Sequence, residues 1–186
     1  MTESGWEKSR SLPGDDVLPG AGLVMDRLLD LAGPPADVWP WLEQLGKDRA
    51  GWYMSRRVER FIPPSRRAAR GIDPQWLGLA TGDRIPDWGP GDPCFEVIAI
   101  EEPDHLVYWS ERPRRPRRGA VRPPVRCTWA LVLAERSPMT SLLHLRLRLD
   151  LGHPPGPVST YGGGGMDRLT VRLLGHGLNE RLRETS

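Results

Sequence analysis

The chain has 186 residues, and its 26 lysine and arginine side chains against 24 aspartate and glutamate side chains give a net charge of +2. This length suits one domain, and a charge so near zero excludes the strongly basic class of nucleic-acid-binding domain. Glycine and proline, with 21 and 20 residues, are well above their usual share, which predicts extensive loops.

Several other classes are excluded by what the sequence lacks. No run of about 18 apolar residues predicts a transmembrane helix, and the polar, acidic first residues lack the apolar core of a signal peptide. Cys94 and Cys127 are too few for a disulfide framework or a four-cysteine zinc site, and the histidines have no metal-ligand spacing. We therefore expect a cytoplasmic protein with no metal and no tightly bound cofactor.

The chain divides into a tail and one domain. Residues 1–20 are polar, rich in glycine and proline, and without periodicity, which predicts a flexible N-terminal tail. Residues 21–186 contain all the periodic segments, and we expect them to fold as a single domain.

The first part of the domain predicts a strand followed by helices. Residues 22–31 alternate like a strand, although Arg27 interrupts the face that carries the apolar side chains. After the proline pair at 34–35, apolar residues spaced i, i+3, i+4 and i+7 predict a helix that ends at Gly46. A short second helix is expected near residues 54–61.

Alternating segments in the second part of the domain predict a series of antiparallel strands. A short strand near Arg84 and Ile85 is followed by longer strands over residues 94–101, 105–110, 126–135 and 143–151. The last strand has the clearest pattern, because five leucines alternate with histidine, arginine and aspartate, as in a strand with one dry and one wet face.

The chain ends in one long amphipathic helix. From Met166 to Arg183, apolar residues recur at helical spacing. Gly175 and Gly177 weaken such a helix by about 1 kcal/mol each relative to alanine, which predicts a close approach to the sheet or to a ligand. Strands grouped together with helices kept apart indicate an α+β fold, and this helix is the element long enough to cover the sheet.

Two segments resemble a known family. Residues 33–53, GPPADVWPWLEQLGKDRAGWY, are similar to the opening of a branch of the SRPBCC superfamily, also called START-like or polyketide cyclase/dehydrase-like. Residues 72–85, IDPQWLGLATGDRI, are similar to a later stretch of the same branch. The resemblance extends over roughly residues 22–183 and is specific in the first half. It implies a helix-grip fold, in which a curved antiparallel sheet wraps round the long C-terminal helix and encloses an apolar cavity.

The resemblance also implies a range of functions. Members of the superfamily bind lipids, sterols, polyketides or hormones, and a minority are cyclases, dehydratases or ring-hydroxylase subunits. Where the branch has serine, tyrosine, aspartate and an aromatic residue after RAGWY, this chain has Met54, Ser55, Arg56 and Arg57. Because this difference falls near the expected cavity wall, the identity of the ligand does not carry over.

The aromatic residues are the candidates for the wall of a binding site. Seven of the eight tryptophans lie between residues 39 and 129. Any one of them is most simply explained as core, but the set is large enough to include residues that stack on a flat ligand. The residues that we expect to contact a ligand are Trp41, Trp52, Tyr53, Trp76, Trp109, Trp129 and His176.

Three functions remain open at this stage. The first is binding of a small hydrophobic or aromatic molecule in the internal cavity. The second is a polyketide cyclase or dehydratase type of enzyme, in which Tyr53, Arg56 or His176 polarises a carbonyl or moves a proton. No recognised catalytic constellation is present, so the catalytic residues are unknown.

The third function is docking of an acidic partner by the arginine-rich run from Arg112 to Arg126. The simpler interpretation of this run is a solvated loop. No aromatic residue interrupts that run to stack on bases, so we expect no nucleic-acid partner. A homodimer is left open. The run Gly162–Gly165 is expected to be a hinge before the final helix, because it lacks the lysine and the strand context of a phosphate-binding loop.

Overall fold

The alternating segments form a six-stranded antiparallel sheet with the strand order β1-β6-β5-β4-β3-β2. The computed structural model describes residues 10–88, 91–114, 116, 121–153 and 163–185. The strands are β1 (Leu23–Leu31), β2 (Arg84–Pro86), β3 (Cys94–Glu101), β4 (His105–Arg112), β5 (Val125–Ser137) and β6 (Thr140–Asp150). The α-helices of the described residues are α1 (Pro35–Glu43), α2 (Arg56–Glu59) and α3 (Gly163–Thr185). The predicted α+β helix-grip fold is confirmed, with the curved sheet wrapped round α3.

Strand register determines which side chains face α3. Residues directly opposite one another on paired strands share a face of the sheet. One such row crosses five strands and consists of Val97, Tyr108, Trp129, Leu147 and Met25. These apolar and aromatic side chains form the inner face of the sheet, which α3 covers.

The C-terminal half of α3 packs tightly, and two glycines make this possible. A Cβ at position 175 would lie 2.9 Å from a methyl group of Leu29 on β1, and a Cβ at position 177 would lie 2.5 Å from the backbone carbonyl carbon of Tyr53. Leu174 and Leu178 are fully buried on the same side of the helix. The close approach predicted from Gly175 and Gly177 is therefore confirmed, and the neighbours are the sheet and a loop backbone.

A buried arginine fixes the same end of α3 to the segment 54–69, which lies between α1 and β2. Arg181 has no exposed surface. Its guanidinium donates to the carbonyl oxygens of Met54 and Ala69 at 2.9 and 2.7 Å and to Glu59 at 2.8 Å, and it lies 4.7 Å from the centre of the Tyr53 ring. These contacts satisfy several backbone carbonyls of an irregular segment that no neighbouring strand could reach.

The N-terminal half of α3 is much less covered. Met166 and Leu169 are 65% and 56% exposed. The helix begins at Gly163, three residues earlier than predicted, so Gly163–Gly165 form its first turn and not a hinge; Gly162 lies outside the described residues. No helix in the described part of the chain combines the length and hydropathy needed to cross a bilayer.

Part of the segment before β1, within residues 10–20, packs on the sheet. Residues 1–9 of the expected tail lie outside the described residues. Leu12 and Leu18 are buried, and Asp15 forms ion pairs with Arg146 at 2.6 Å and with Arg148 at 3.2 Å on the outer face of β6. Arg146 and Arg148 on the outer face of β6 attract this carboxylate and so hold the segment against the sheet. No periodicity marked the segment, because it packs as turns.

We expect Gly177→Ala to destabilise the protein, because the new methyl group would overlap the Tyr53 and Met54 backbone. Overpacking of this kind costs roughly 1–3 kcal/mol. Gly164→Ala is the matched control, since a Cβ at position 164 meets nothing within 4 Å. Urea unfolding should show a lower free energy for the first variant and an unchanged or higher one for the second. Equal stability of the two variants would contradict the tight seat of α3.

We expect the Arg181 cluster to make stability fall in acid. Burial alone would raise the pKa of Glu59, but hydrogen bonds from Arg181 and Arg70 outweigh it and leave the pKa below the ordinary 4.5. A carboxylate with a lowered folded pKa stabilises the protein above pH 4.5, and that contribution is lost as the pH falls through the folded value.

Denaturant unfolding between pH 7 and pH 3 tests this expectation. Glu59→Gln should lower the unfolding free energy at pH 7 by roughly 3 kcal/mol, as for other broken buried pairs, and should show a smaller further loss in acid. Glu135→Gln, at an exposed position of β5, is the control. An acid dependence that Glu59→Gln leaves unchanged would show that other groups cause it.

Candidate functional site

A cavity of about 440 Å³ lies between the inner face of the sheet and the N-terminal half of α3. Strands β1, β3, β4, β5 and β6 supply its floor, the first turns of α3 cover it, and the segments 45–52 and 85–88 close one side. Its lining is mostly apolar and consists of Met25, Leu45, Gly46, Trp52, Ile85, Pro86, Asp87, Trp88, Phe95, Tyr108, Arg112, Val125, Cys127, Trp129, Leu147, Leu149, Met166, Asp167, Thr170 and Val171. The cavity exists because α3 is packed tightly only at its other end.

Aromatic rings form one wall of the cavity. Trp129 lies at the centre, with its ring stacked against Trp52 at 6.1 Å and against Tyr108 at 5.8 Å between ring centres. Trp88 meets Trp52 edge to face, and Phe95 is tilted against Trp129. All of these rings line the cavity, so a bound aromatic ring would meet other aromatic rings there.

Sulfur-containing and aliphatic side chains line another side of the cavity, where Leu147 is the cross-strand neighbour of Trp129. Met25 on β1 and Met166 on α3 contribute flexible thioethers, and Leu147, Leu149 and Val171 contribute branched aliphatic groups. Thioethers pack favourably against aromatic rings and adapt to irregular shapes. This side of the cavity can therefore adjust to ligands of different outline.

The first charged pair of the cavity joins Arg112 to Asp87. The Arg112 guanidinium donates a hydrogen bond to the Asp87 carboxylate and a second, at 3.2 Å, to the Ser110 hydroxyl. It also lies 5.2 Å from the centre of the Phe95 ring. The charge of Arg112 is thus already balanced, and its position beside an aromatic ring is fixed from three directions.

The second charged pair joins β1 to the first turn of α3. Arg27 faces inward on β1, with its guanidinium 2.7 Å from the carboxylate of Asp167 and 3.1 Å from the Gly164 carbonyl oxygen. The Arg27–Asp167 contact lacks the angle of a hydrogen bond, so Asp167 Oδ2 and Arg27 Nε are buried without a hydrogen-bond partner among the described residues. Burial raises the pKa of Asp167, and Arg27 offsets this only in part.

Two further titratable groups of the cavity remain protonated. Burial raises the pKa of the Tyr108 hydroxyl well above its ordinary value, so this group is a hydrogen-bond donor at neutral pH. Burial also raises the pKa of the Cys127 thiol to about 11. Because the thiolate is the nucleophile, Cys127 has no special reactivity.

Two of the residues predicted to contact a ligand line the cavity, namely Trp52 and Trp129. The Trp52 indole also donates to the Thr170 carbonyl oxygen on α3 at 3.3 Å. Trp109 is next to Tyr108 on β4, and side chains alternate, so Trp109 lies on the outer face of the sheet. The expectation for Trp109 therefore differs from the structure by one residue of strand register.

The other predicted contacts lie away from the cavity. Trp41 and Tyr53 are buried in the core, where their rings meet edge to face at 5.5 Å and the Tyr53 hydroxyl donates to the Trp41 carbonyl oxygen at 2.9 Å. Trp76 lies in a loop against Arg49. His176 is exposed on α3 and faces a different groove. Residue types alone did not show which side of α1 and α3 each ring would occupy.

None of the three candidate proton donors from the sequence lines the cavity. Tyr53 is used in the core, His176 faces outward, and Arg56 forms an exposed ion pair with Glu184 at 2.9 Å. The titratable groups at the cavity are instead Asp87, Arg112 and Asp167, together with Tyr108 and Cys127. The sequence did contain a signal for Asp167, because Arg27 interrupts an apolar strand face and an arginine in such a place needs a carboxylate partner.

A cluster of possible metal ligands lies elsewhere. Glu101, Asp104 and His105 come together at the turn between β3 and β4. The two carboxylates are exposed, and the His105 ring nitrogen is 2.8 Å from the Asp104 carboxylate. None of the three lines the cavity.

Comparison with known proteins supports the fold. No protein-family model and no curated protein matches the sequence. The chain is similar to the crystal structure of Ms6760 from Mycobacterium smegmatis, with 16% identity, a TM-score of 0.54 and coverage of 89% of this chain and 94% of that one. It is also similar to MLL2253 from Mesorhizobium loti, with 17% identity, a TM-score of 0.51 and coverage of 88% and 99%. At such identities these likenesses establish the fold alone.

We expect Cys127 to report on the cavity. In a Cys94→Ser background, a thiol reagent should react slowly with Cys127, because the thiol is 3% exposed and its pKa is raised to about 11. Unfolding in urea should restore the rate of an exposed cysteine. A ligand in the cavity should slow the native reaction further. A native rate equal to the unfolded rate would contradict the burial of this wall.

Proposed function

We propose that this protein binds a compact, flat and uncharged hydrophobic molecule that contains aromatic rings. The observation that carries the proposal is the apolar cavity beneath the N-terminal half of α3, with stacked aromatic rings on one wall. A volume of about 440 Å³ falls within the range of small-molecule sites. Burial of apolar ligand surface would supply about 25 cal/mol per Å².

The charges argue for a ligand without net charge. Asp87 already pairs with Arg112, and Asp167 with Arg27. A charged ligand would have to separate one of these pairs or enter an apolar space unpaired, and an unpaired charge in such a space is costly. A neutral ligand leaves both pairs intact. Tyr108 and Asp167 remain available to donate one hydrogen bond and accept another.

The sequence resemblance supports the same proposal independently. The SRPBCC superfamily, which residues 33–53 and 72–85 resemble, includes many proteins that hold hydrophobic molecules in the space between sheet and terminal helix. The cavity of this chain occupies that space.

A second candidate function is a cyclase or dehydratase type of enzyme acting on a carbonyl-rich substrate. The observation in its favour is that Asp167, whose pKa is raised, lines the same cavity as Tyr108, which remains protonated. Such a pair offers a base and an acid to one bound molecule. The sequence-derived candidates Tyr53, Arg56 and His176 have no part in this version.

Binding is tested by thermal shift and tryptophan quenching with neutral two- and three-ring aromatic compounds, with decanoate as the charged aliphatic control. We expect the aromatic compounds to stabilise the protein and quench its fluorescence, and decanoate to do neither. Val125→Trp should abolish the effect by filling the cavity. Val24→Trp places the same ring on the exposed outer side of β1 and should leave it intact. Stabilisation by decanoate alone would overturn the proposed ligand class.

The enzymatic candidate is tested with Tyr108→Phe and Asp167→Asn. If the protein is an enzyme, both variants should still bind aromatic compounds, while turnover of a poly-β-carbonyl substrate should fall about 100-fold or more, as for the loss of a general acid or base. Product analysis by mass spectrometry provides the measurement. Wild-type protein that binds but converts no such substrate would leave binding as the function.

A further inference from the structure

A second groove, of about 360 Å³, lies outside the cavity between α3 and the free edge of β1. One side is the strand from Arg27 to Asp30, and the other is a row of α3 side chains that includes Arg168, Arg172, His176 and Asn179. Strand β1 is at the end of the sheet order, so β6 pairs with one of its edges and the other faces this groove.

Asn179 already makes the hydrogen bonds of a neighbouring strand at one point of this edge. Its side-chain oxygen accepts from the Ala32 N–H at 2.8 Å, and its side-chain nitrogen donates to the Asp30 carbonyl oxygen at 2.9 Å. Backbone groups of alternate residues point to the same edge of a strand. The N–H and C=O of Leu28 therefore also face the groove.

The next position along the edge is closed by a side chain. The Arg27 guanidinium donates to the Asp26 carbonyl oxygen at 2.7 Å. Leu28 thus lies between two positions that side chains occupy, and its backbone offers one donor and one acceptor to a third strand. An unpaired edge of this kind is a template for pairing with another chain.

The helix side of the groove carries two arginines and a histidine at regular intervals. Arg168, Arg172 and His176 follow one another at four-residue spacing, which places them about 6 Å apart along α3. All three are exposed, and none forms an ion pair with a described residue. Alternate side chains of an extended strand are about 6.7 Å apart, so an added strand would present every second side chain to this row.

We propose that this groove binds an extended peptide segment with acidic residues at alternate positions, which adds to the sheet at the β1 edge. The peptide backbone pairs with Leu28, and its acidic side chains meet Arg168, Arg172 and His176. Strand β1 and helix α3 run in the same sense along the groove, because Arg27 contacts Asp167 and Asp30 contacts Asn179. Strand addition to an exposed edge is a general mode of peptide recognition.

A single-stranded nucleic acid would match the charges but not the edge. Its backbone has no N–H groups for the Leu28 carbonyl, and no Trp, Tyr or Phe among the described residues lines the groove to stack on a base. The groove is also separate from the aromatic wall of the cavity. A peptide could therefore bind whether or not the cavity holds a ligand.

The experiment uses the full chain and a fluorescein-labelled peptide of nine residues with alternating glutamate and valine. Fluorescence anisotropy at low ionic strength should show saturable binding. Arg168→Gln and Arg172→Gln should each weaken binding about three- to fivefold, the size expected for an exposed ion pair. Arg183→Gln, an exposed arginine of α3 outside the groove, is the matched control and should change nothing. The side chains of Arg168, Arg172 and Arg183 are exposed, so we expect the three variants to have the melting curve of the unmodified protein.

Two further probes separate strand pairing from simple charge attraction. The same peptide with N-methyl groups on its valines, or on its glutamates in a second version, loses alternate N–H donors. One of the two should bind about tenfold more weakly, as for the loss of a hydrogen bond. In a ¹⁵N spectrum, the Leu28 amide signal should shift on addition of the unmodified peptide.

Several results would overturn the inference. Three results would each show that only the net charge matters. The first is that both N-methylated peptides bind as tightly as the unmodified peptide, and the second is that the Leu28 amide signal does not move. The third is that Arg183→Gln weakens peptide binding as much as Arg168→Gln does. Tighter binding of an oligouridylate with the same number of charges would assign the groove to nucleic acid. None of these results bears on the aromatic ligand of the cavity, because Leu28, Arg168 and Arg172 do not line it.

Discussion

The packing of α3 against the sheet is the constraint that produces the cavity. At its C-terminal half, Gly175 and Gly177 let the helix backbone approach Leu29 and the Tyr53–Met54 backbone, and Arg181 binds the loop carbonyls from within. At its N-terminal half, a Cβ at Gly164 or Gly165 would meet nothing within 4 Å, and Met166 is largely exposed. A rigid helix fixed at one end and raised at the other leaves a wedge of space above the strands.

The N-terminal end of α3 is held by an ion pair, whereas the C-terminal end is held by close packing together with the Arg181–Glu59 pair. Arg27 on the inner face of β1 reaches the Asp167 carboxylate and the Gly164 carbonyl oxygen. A large apolar side chain at position 27 would hold the helix by filling the wedge, whereas a long arginine bridges it. The ion pair therefore keeps the first turns of α3 near the sheet without closing the space that a ligand would occupy.

Much of the fold could be predicted from the sequence, because alternation and helical spacing are local. The alternating leucines of β6, the succession of strands along the chain and the terminal helix follow from those patterns, and Gly175 and Gly177 pointed to close packing. The site was harder to predict. Trp52 and Trp129 line the cavity, and their contact with a ligand stays a prediction, but a list of tryptophans could not show that Trp41 faces the core.

The remaining differences have specific causes. Trp109 and Tyr108 are neighbours on one strand, so one of them had to face outward, but the choice depends on a register that only the folded sheet defines. The segment around Asp15 lacked periodicity and was expected to be loose, yet its carboxylate neutralises two arginines of β6. Ion pairs between distant segments leave no periodic trace in a sequence.

The chemistry of the cavity is defined by neutralised charge beside exposed aromatic faces. Two ion pairs interrupt an otherwise apolar lining, and each is balanced within the protein. This arrangement favours molecules that bury apolar surface and add no charge. The thioethers of Met25 on the sheet and Met166 on α3 line the same cavity as the stacked rings, so a flat ligand would meet both sulfur and aromatic surfaces.

The most direct measurement is the ¹³C-methyl NMR spectrum of methionine-labelled protein during titration with a neutral three-ring aromatic compound. Met25 and Met166 line the cavity, and Met139 is exposed beyond it at the turn between β5 and β6. The account predicts saturable ring-current shifts for the methyl groups of Met25 and Met166 and none for Met139. Unmoved Met25 and Met166 signals at saturating compound, or equal shifts of all three, would contradict a binding cavity beneath α3.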